Sequence, residues 1–169
     1  MTALVHTVID SPLGPLTAVA EEESGALTGL YFARHLRMPP PEALGPRVST
    51  GFVAVRGQLA EYFSGERTRF DLPLAPRGNA FQLKVWRLLE RIPYGQRRSY
   101  GQLARELGDV SLAQAVGSAN ARNPISVIVP CHRVVGADGS LTGYAGGLAR
   151  KRFLLELEEP AADRAARLF

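Results

Sequence analysis

The chain has 169 residues, of which 46% are hydrophobic and 21% charged, and a formal net charge of +4. This composition is that of a globular protein, so it excludes a chain that is disordered, collagenous or coiled-coil throughout. No apolar run approaches the roughly 18 residues of a membrane span, and no signal peptide is visible. The single cysteine, Cys131, excludes an internal disulfide and a zinc site of several cysteines. An unpaired thiol fits a reducing compartment, so we expect a cytoplasmic protein.

Charge is divided unevenly along the chain. Residues 1–76 hold six Arg and eight acidic residues, a net charge of −2. Residues 77–169 hold twelve Arg, two Lys and eight acidic residues, a net charge of +6. A basic half suggests a polyanionic partner. On charge alone, however, a solvated basic face without such a partner is the stronger interpretation.

The first half predicts a small α/β domain. Short strands are expected at 4–9, 15–20 and 26–33, where apolar residues are bounded by turn-forming residues. A loop rich in proline follows at 37–50, and then a helix at 52–64, where apolar residues recur near helical spacing. The sequence APRG marks a boundary that divides the chain into domains at 1–76 and 77–169.

The second half predicts mostly helices. Three times a capping residue is followed three positions later by Gln, the pattern of a capping box at a helix N-terminus. The pairs are Asn79 with Gln82, Ser99 with Gln102, and Ser111 with Gln114. They predict helices at 80–91, 100–107 and 112–121. A three-residue turn with Gly108 joins the last two, as in a helix-turn-helix whose second helix faces DNA, although a packed αα-hairpin explains the pattern about as well.

The segments after these helices predict a return to β structure and then a last helix. The apolar, β-branched run Ile125–Val129 predicts a buried strand. Val134-Val135 and the Asp138-Gly139 turn predict a hairpin return. A helix is expected at 148–158, and residues 160–169 form a tail without an assigned role. The residues expected to point inward from the last helix are Leu148, Phe153, Leu154 and Leu157.

The residues that carry chemistry lie just beyond the apolar run. The sequence IVPCHRVV places Cys131 beside His132 and Arg133. The thiolate is the nucleophilic form of cysteine, with a pKa of about 8.5 when unperturbed, and a neighbouring imidazole and guanidinium lower that pKa or supply a base. Composition alone favours the alternative, a small buried hydrophobic residue. Placing a thiol, a titratable ring and a fixed charge beside a buried strand costs free energy. Because this cost is unexpected without a function, the arrangement favours an active cysteine.

Several sequence blocks resemble a known family. VIVPCHRVVG, with NARNP before it and LTGYAGG after it, resembles the DNA repair methyltransferases that act on O6-methylguanine. SPLGPL and FQLKVWRLLERIPYGQRRSYGQLA extend the resemblance over nearly the whole chain. The resemblance implies a ribonuclease-H-like α/β domain followed by a mostly helical, winged-helix-like domain with a helix-turn-helix. It also implies irreversible transfer of an alkyl group from the O6 of guanine in duplex DNA to the protein's own cysteine, once per molecule.

The resemblance assigns catalytic roles to five residues. Cys131 matches the nucleophile, His132 the residue that takes the thiol proton through a water, and Glu158 the acid that orients the histidine. Tyr100 matches a proton donor placed near N3 of the guanine. Asn123 matches the residue that holds the bend carrying the cysteine.

The resemblance also implies how DNA is bound. The recognition helix enters the minor groove, and the damaged base is flipped into a pocket of the protein. The family usually fills the resulting gap with an arginine, whereas this chain has Gln114, which either inserts without a charge or only caps its helix. The expected DNA- and base-binding residues are Ser99, Gln114, Ala115, Gly117, Ser118, Arg122, Arg133 and Tyr144. For the small residues among them, helix packing is an alternative.

The remaining expectations concern the loop after the cysteine, metals and rival functions. Gly146 and Gly147 have no side chains, so we interpret them as positions where another group approaches the backbone closely, with a plain turn as the alternative. The zinc ligands and cysteine-rich regulatory domain of some relatives are missing, so we expect no metal and no transcriptional role. We also expect a monomer, and no cofactor, because the damaged DNA is the methyl donor. Two other functions stay open: a protein that binds alkylguanine and flags it without transfer, and a helix-turn-helix transcription factor with a structural thiol. O4-alkylthymine stays open as a second substrate.

Overall fold

The computed structural model describes residues 2–163. Met1 and residues 164–169, which make up most of the tail expected at 160–169, lie outside the described residues. Within the described part, no helix is both long and apolar enough to cross a membrane.

The first half forms an antiparallel sheet covered by one helix. The strands β1 (Leu4–Ile9), β2 (Leu16–Glu21) and β3 (Leu27–Phe32) pair in chain order. After a loop that contains a 3-10 turn, α1 (Val53–Phe63) turns Val55, Leu59 and Tyr62 into the core. The predicted small antiparallel sheet and helix are confirmed, and each predicted end differs by at most one residue from the observed one.

The second half is mostly helical, as predicted. It consists of α2 (Ala80–Glu90), α3 (Tyr100–Glu106), α4 (Ala113–Ala121), α5 (Leu148–Glu158) and a short parallel ladder between β4 (Arg98–Ser99) and β5 (Val134–Val135). The capping boxes at Asn79 and Ser99 are both formed, with the cap side chain and the Gln side chain bonded reciprocally. The helix-turn-helix comprises α3 and α4, and the Trp86 indole of α2 donates to the Ala119 carbonyl of α4 over 2.8 Å.

The third predicted capping box is wrong. The Asp109 carboxylate accepts the Ser111 backbone N–H over 2.9 Å and starts a 3-10 turn at Val110–Leu112. The residue before α4 is therefore Leu112, which makes no side-chain capping bond. An aspartate two residues earlier reaches the backbone first, because its short side chain closes a local turn. Gln114 is consequently not part of a capping box.

The predicted strand at Ile125–Val129 is also wrong, although the segment is buried. Ile125 makes a single β-bridge and the following residues form tight turns, with Val127 at a φ of +72°. The Asn123 side chain bonds the Ile125 N–H over 3.1 Å and the Val129 carbonyl over 2.8 Å. A side-chain amide thus supplies bonds that a neighbouring strand supplies in a sheet. The turn predicted at Asp138-Gly139 is formed, and the Gly136 N–H donates to the Ser140 carbonyl over 2.9 Å. The hairpin predicted for Val134-Val135 is wrong, because β5 pairs in parallel with β4.

The edge of β3 joins the two halves of the chain. All six of its residues are buried, and its free edge bridges to Leu74 and Ile125. The Leu30 N–H donates to the Pro124 carbonyl over 2.8 Å, and the Leu30 carbonyl accepts from Ser126 over 3.2 Å. One hydrophobic cluster continues from the sheet into α2, α3, α4 and α5. The division at 76 and 77 stays a prediction.

The inward face of α5 differs from the predicted one. Leu148 and Phe153 are 47% and 36% exposed, whereas Lys151 and Glu158 are 0% and 2% exposed. Apolar spacing therefore located the helix but missed the two charged residues that it carries into the interior.

The loop between β5 and α5 approaches β3 closely. A Cβ atom added at Gly146 would lie 2.5 Å from the Phe32 ring and 2.9 Å from the Tyr144 ring, both closer than real Cβ contacts. Gly147 has a φ of +92°, which favours glycine. The close approach expected of Gly146 is thus made to an aromatic ring of the protein itself.

We expect Gly146→Ala to lower the free energy of unfolding by about 1–3 kcal/mol, because the added methyl group overpacks the contact with Phe32. Urea unfolding measures this change. The matched control is Gly143→Ala, since a Cβ there meets nothing within 4 Å, and it should stay within about 0.5 kcal/mol of the unsubstituted protein. Equal losses in the two variants would contradict the packing argument.

Candidate active site

The segment that carries Cys131 is a buried bend ending in a 3-10 turn. Asn123 closes the bend through its bonds to Ile125 and Val129, and the Cys131 N–H then donates to the Val129 carbonyl over 2.8 Å. Cys131, His132 and Arg133 form the 3-10 turn. Asn123 thus has the geometry expected of a residue that holds the bend, although its part in a reaction is a prediction.

The Cys131 thiol is buried, with an exposed fraction of 4%. Burial raises its pKa to about 11, and the contacts that favour the thiolate, from Asn123, Lys151 and Tyr144, do not outweigh this effect. The expected lowering of the pKa by neighbouring charges is therefore wrong for the protein without DNA. The physical reason is burial of the thiol, and Arg133 and the Nε2 atom of His132 do not offset it because both are directed at Glu158.

The His132 ring and the Glu158 carboxylate form a buried pair. His132 Nε2 lies 2.8 Å from Glu158 Oε2, and both side chains are at least 98% buried. Burial opposes ionisation of Glu158, but the bonds from His132 and Arg133 outweigh it and lower the pKa of Glu158 to about 2. Burial lowers the pKa of His132, and the attraction of Glu158 does not compensate. At neutral pH the pair is therefore a carboxylate and a neutral imidazole.

This charge state decides which nitrogen of His132 carries the proton. A carboxylate only accepts hydrogen bonds, so the Nε2 atom that faces Glu158 must be the N–H donor. The Nδ1 atom of the neutral ring is then the free base. It is buried, and no residue between 2 and 163 bonds it. The ring adjoining Cys131 thus has an unprotonated nitrogen inside the protein.

Glu158 accepts from three side chains. Arg133 Nε donates to Oε1 over 2.8 Å and Arg133 Nη2 to Oε2 over 2.9 Å, while a further Arg133 nitrogen bonds the Ile92 carbonyl. The Tyr62 hydroxyl on α1 also donates to Oε2, over 2.5 Å. Arg133 is therefore buried within the protein, and its expected role in binding DNA is wrong. The Arg133 guanidinium is bonded to Glu158 and to the Ile92 carbonyl inside the core, so it cannot reach a DNA phosphate.

Lys151 places a second cation near the thiol. Its Nζ atom donates to the Val134 carbonyl over 2.6 Å and to the Thr142 carbonyl over 3.0 Å. Burial lowers the pKa of Lys151 to about 8, while the neighbouring Cys131 favours its charged form. Lys151 and Tyr62 were both missed at the sequence level. Neither lies in the motif around Cys131. Helical spacing includes Tyr62 among the apolar residues of its helix but gives no signal that its hydroxyl reaches Glu158, and a lysine gives no signal that it points inward.

Two tyrosines are expected at the site, and Tyr144 is the one that lies beside the thiol. Tyr144 is buried, and its ring packs against Phe32 with centroids 6.0 Å apart. Tyr100 is half-buried, and its hydroxyl bonds Thr142 over 2.7 Å. Tyr144 therefore lies beside the thiol, where one wall of a base pocket is expected.

The residues expected to meet DNA are mostly on the surface of the helix-turn-helix. Gln114, Ala115 and Ser118 of α4 are exposed, and so is Arg122 just beyond it. Gly117 is half-buried and faces the Tyr100 ring, 3.6 Å from the place where its Cβ would be. The Ser99 hydroxyl is engaged in capping α3 and accepts the Gln102 N–H over 3.1 Å. The other exposed basic residues of this half include Lys84, Arg87, Arg91, Arg97 and Arg105.

The fold and the site together define a class of protein: a helix-turn-helix protein with a basic surface and a single thiol beside a histidine–glutamate pair. Comparison with known families identifies it further. The family model for the 6-O-methylguanine DNA methyltransferase DNA-binding domain matches residues 80–160. The model for the ribonuclease-like domain of the same family matches residues 4–76. The chain belongs to the 6-O-methylguanine DNA methyltransferase family.

Individual relatives are similar in sequence to this chain over nearly its full length. A methylated-DNA–protein-cysteine methyltransferase of Mycobacterium tuberculosis is 47% identical over 97% of this chain and 98% of its own. One from Methanosarcina acetivorans is 43% identical over 92% of this chain and 98% of its own. A crystal structure of M. tuberculosis OGT in complex with DNA matches with a TM-score of 0.85 and 47% identity, over 91% of this chain and 92% of that one.

We expect Glu158→Gln to lower the free energy of unfolding by about 3–5 kcal/mol at neutral pH, because it leaves Arg133 buried without a counter-charge. The pH dependence of stability should change as well. A carboxyl with a folded pKa of about 2 and an unfolded value of 4.5 stabilises the protein above pH 4.5, and this contribution is lost as the pH falls toward 2. Urea unfolding over this pH range measures both effects.

The matched control is Glu106→Gln, which removes an exposed carboxylate of α3. It should stay within about 0.5 kcal/mol of the unsubstituted protein at every pH. If Glu158→Gln and Glu106→Gln had the same stability, or if the acid-induced loss were unchanged in Glu158→Gln, the buried network would not carry the stability assigned to it.

Proposed function

We propose that this protein repairs DNA by direct reversal, taking an alkyl group from O6-alkylguanine onto Cys131 once per molecule. The observation that carries the proposal is the buried series of thiol, imidazole and carboxylate formed by Cys131, His132 and Glu158. The methylated-DNA–protein-cysteine methyltransferases to which the chain is similar support the same activity.

The reaction needs a nucleophile, a base and a proton donor. The Cys131 sulfur attacks the alkyl carbon, so that an S–C bond forms while the C–O bond to guanine breaks. The thiol proton passes to Nδ1 of His132 through a water, and the ionised Glu158 stabilises the resulting imidazolium through Nε2. Guanine leaves with the electron pair of the C–O bond and accepts a proton near N3 from the Tyr100 hydroxyl.

The state of the thiol determines when the reaction starts. Because the pKa of Cys131 is raised to about 11, the resting sulfur is protonated at neutral pH and is a weak nucleophile. A base that enters the pocket brings the alkyl carbon to the sulfur while Nδ1 accepts the proton. The thiolate therefore forms only when a substrate is in place. No cofactor takes part, because the substrate itself supplies the alkyl group.

DNA binding rests on the exposed basic surface of the second half. Arg97, Arg98 and Arg105 line one cleft with the start of α3, and Arg122 follows α4. Charges of this kind neutralise phosphates and provide affinity that depends on salt. A DNA complex among the similar structures supports DNA as the partner. We propose that α4 enters the minor groove of duplex DNA, that the protein acts as a monomer, and that it acts in the cytoplasm.

The damaged base must leave the duplex to reach a thiol that is 96% buried. Flipping costs a few kcal/mol of unstacking, which a poorly paired, alkylated base reduces. Tyr144 would form one wall of the receiving pocket, and Ala115, Gly117 and Ser118 would allow α4 to approach the DNA backbone. Gln114 is exposed and outside any capping box, which leaves its side chain available to fill the gap in the stack.

The decisive experiment mixes the protein with duplex DNA that carries a radiolabelled O6-methylguanine. We expect label on the protein, up to one methyl group per chain and no further with excess substrate, because the thioether has no route back to a thiol. Cys131→Ala should take up none while it still binds the DNA. Repeated turnover would contradict the single-use reaction. Binding without transfer by the unsubstituted protein would favour a lesion-flagging role, and binding that ignores alkylation would favour a transcription factor.

We expect Gln114→Ala to slow repair of duplex DNA more than transfer from the free base O6-methylguanine. The free base needs no flipping, so it serves as the internal control for the chemistry at Cys131. Single-turnover rates with the two substrates measure the difference. Equal slowing with both substrates, or no slowing with either, would remove Gln114 from the step that opens the duplex.

A further inference from the structure

The catalytic pair is contacted by a residue from the other half of the chain. Tyr62 lies on α1, which follows the antiparallel sheet, whereas His132 and Glu158 belong to the helical half. Its hydroxyl donates to Glu158 Oε2 over 2.5 Å, and its side chain is 0% exposed. Nothing in the chemistry described above uses this hydrogen bond.

The position of the Tyr62 ring is fixed by aromatic neighbours. The rings of Phe63, Phe70 and Tyr94 lie with their centroids 5.3, 5.2 and 6.3 Å from the Tyr62 centroid. A ring packed on several sides holds its hydroxyl in one place. The donor is therefore built into the core and is not a flexible surface group that happens to reach the carboxylate.

The hydroxyl shares one oxygen atom with the catalytic histidine. Glu158 Oε2 accepts from Tyr62 and from His132 Nε2, which lies 2.8 Å away. Each additional donor disperses the negative charge of a carboxylate and weakens its attraction for the other donors. A weaker attraction makes the protonated form of His132 less favourable. The ring is thereby kept neutral, which is the form that accepts a proton from the thiol.

We propose that Tyr62 is a positioning residue of the alkyl transfer, which fixes the Glu158 carboxylate and limits its pull on the His132 ring. The inference rests on the proposed function, because it gives Tyr62 a part in the same reaction. It also assigns a chemical role to the α/β half of the chain. That half supplies a hydrogen-bond donor to the catalytic pair in addition to its share of the core.

Other charged and titratable groups also face the pair, and the test must keep them unchanged. Arg133 bonds both oxygens of Glu158, and Lys151 disfavours the charged form of His132. The groups that face the pair or its immediate neighbours are Tyr94, Cys131, Arg133, Tyr144, Arg150 and Lys151. Tyr62→Phe removes one oxygen atom and alters none of these side chains.

The test compares the pH dependence of Tyr62→Phe with that of the unsubstituted protein. With the donor removed, Glu158 pulls more strongly on His132, so the ring protonates at higher pH. We expect the acid limb of the single-turnover transfer rate to move upward by about 0.5–1 pH unit. NMR titration of the His132 ring, assigned with His132→Asn, should give the same upward shift without any DNA. A role in packing alone would lower the melting temperature and leave both midpoints in place.

Two controls define the result. Tyr94→Phe removes a hydroxyl from the same aromatic group, where it donates to the Leu157 carbonyl over 3.2 Å, and it should leave the midpoints unchanged. A 3-fluorotyrosine at position 62 keeps the ring and makes the hydroxyl a stronger donor, so it should move both midpoints downward. This second substitution gives a decision even if Tyr62→Phe does not fold.

An unchanged His132 midpoint in both Tyr62 substitutions, or a ring that stays neutral in every protein down to acid unfolding, overturns the proposal. So does an equal shift in Tyr94→Phe. If the unsubstituted protein transfers no methyl group at any pH, the proposed function fails. The NMR titration then still decides separately whether Tyr62 controls His132.

Discussion

A single buried carboxylate, Glu158, ties together three parts of the chain. It receives two bonds from Arg133, one from His132 and one from Tyr62, so that α1, the 3-10 turn after the bend and α5 meet at one charge. A buried carboxylate is stable only when donors satisfy its oxygens. The hydrogen bonds that offset the cost of burying Glu158 also keep it ionised. Because Glu158 is ionised, the proton of the His132 ring is fixed on Nε2. Structure and chemistry here depend on the same set of hydrogen bonds.

The nucleophile is held by an irregular segment rather than by a regular element. Asn123 supplies the bonds that a neighbouring strand would supply, and this allows the chain to bend toward the 3-10 turn at Cys131. β3 covers the first part of this segment through Leu30, while Gly146 permits the following loop to rest on Phe32. The α/β half thus supports the active site from two sides. This packing explains why one hydrophobic core continues through both halves of the chain.

The sequence predicts those parts of the molecule that local physics decides. Strands bounded by turn residues and helices that begin with a capping box at Asn79 or Ser99 are formed as expected. The prediction from sequence failed at two places. At Ser111, Asp109 accepts the backbone N–H that the predicted capping box assigns to the Gln114 side chain. In Ile125–Val129, a buried bend has the same composition as a buried strand. In both places the outcome depends on which of two partners reaches a backbone group, and apolar spacing carries no information about that choice.

The residues of the candidate site also divide into those that local sequence reveals and those that only the folded structure brings together. Cys131 and His132 are adjacent in sequence and could be identified together, whereas Tyr62 and Lys151 reach the site through tertiary packing and could not. Arg133 lies in the motif and was nevertheless assigned to the wrong partner, because a charge next to a nucleophile suggests a contact with substrate while the fold turns it toward Glu158. The orientation of Arg133 and His132 also bears on the protonation of the buried thiol. Arg133 is bonded to the carboxylate and the His132 ring is neutral, so neither neighbour offsets the burial that raises the pKa of Cys131, and the thiol is protonated at rest.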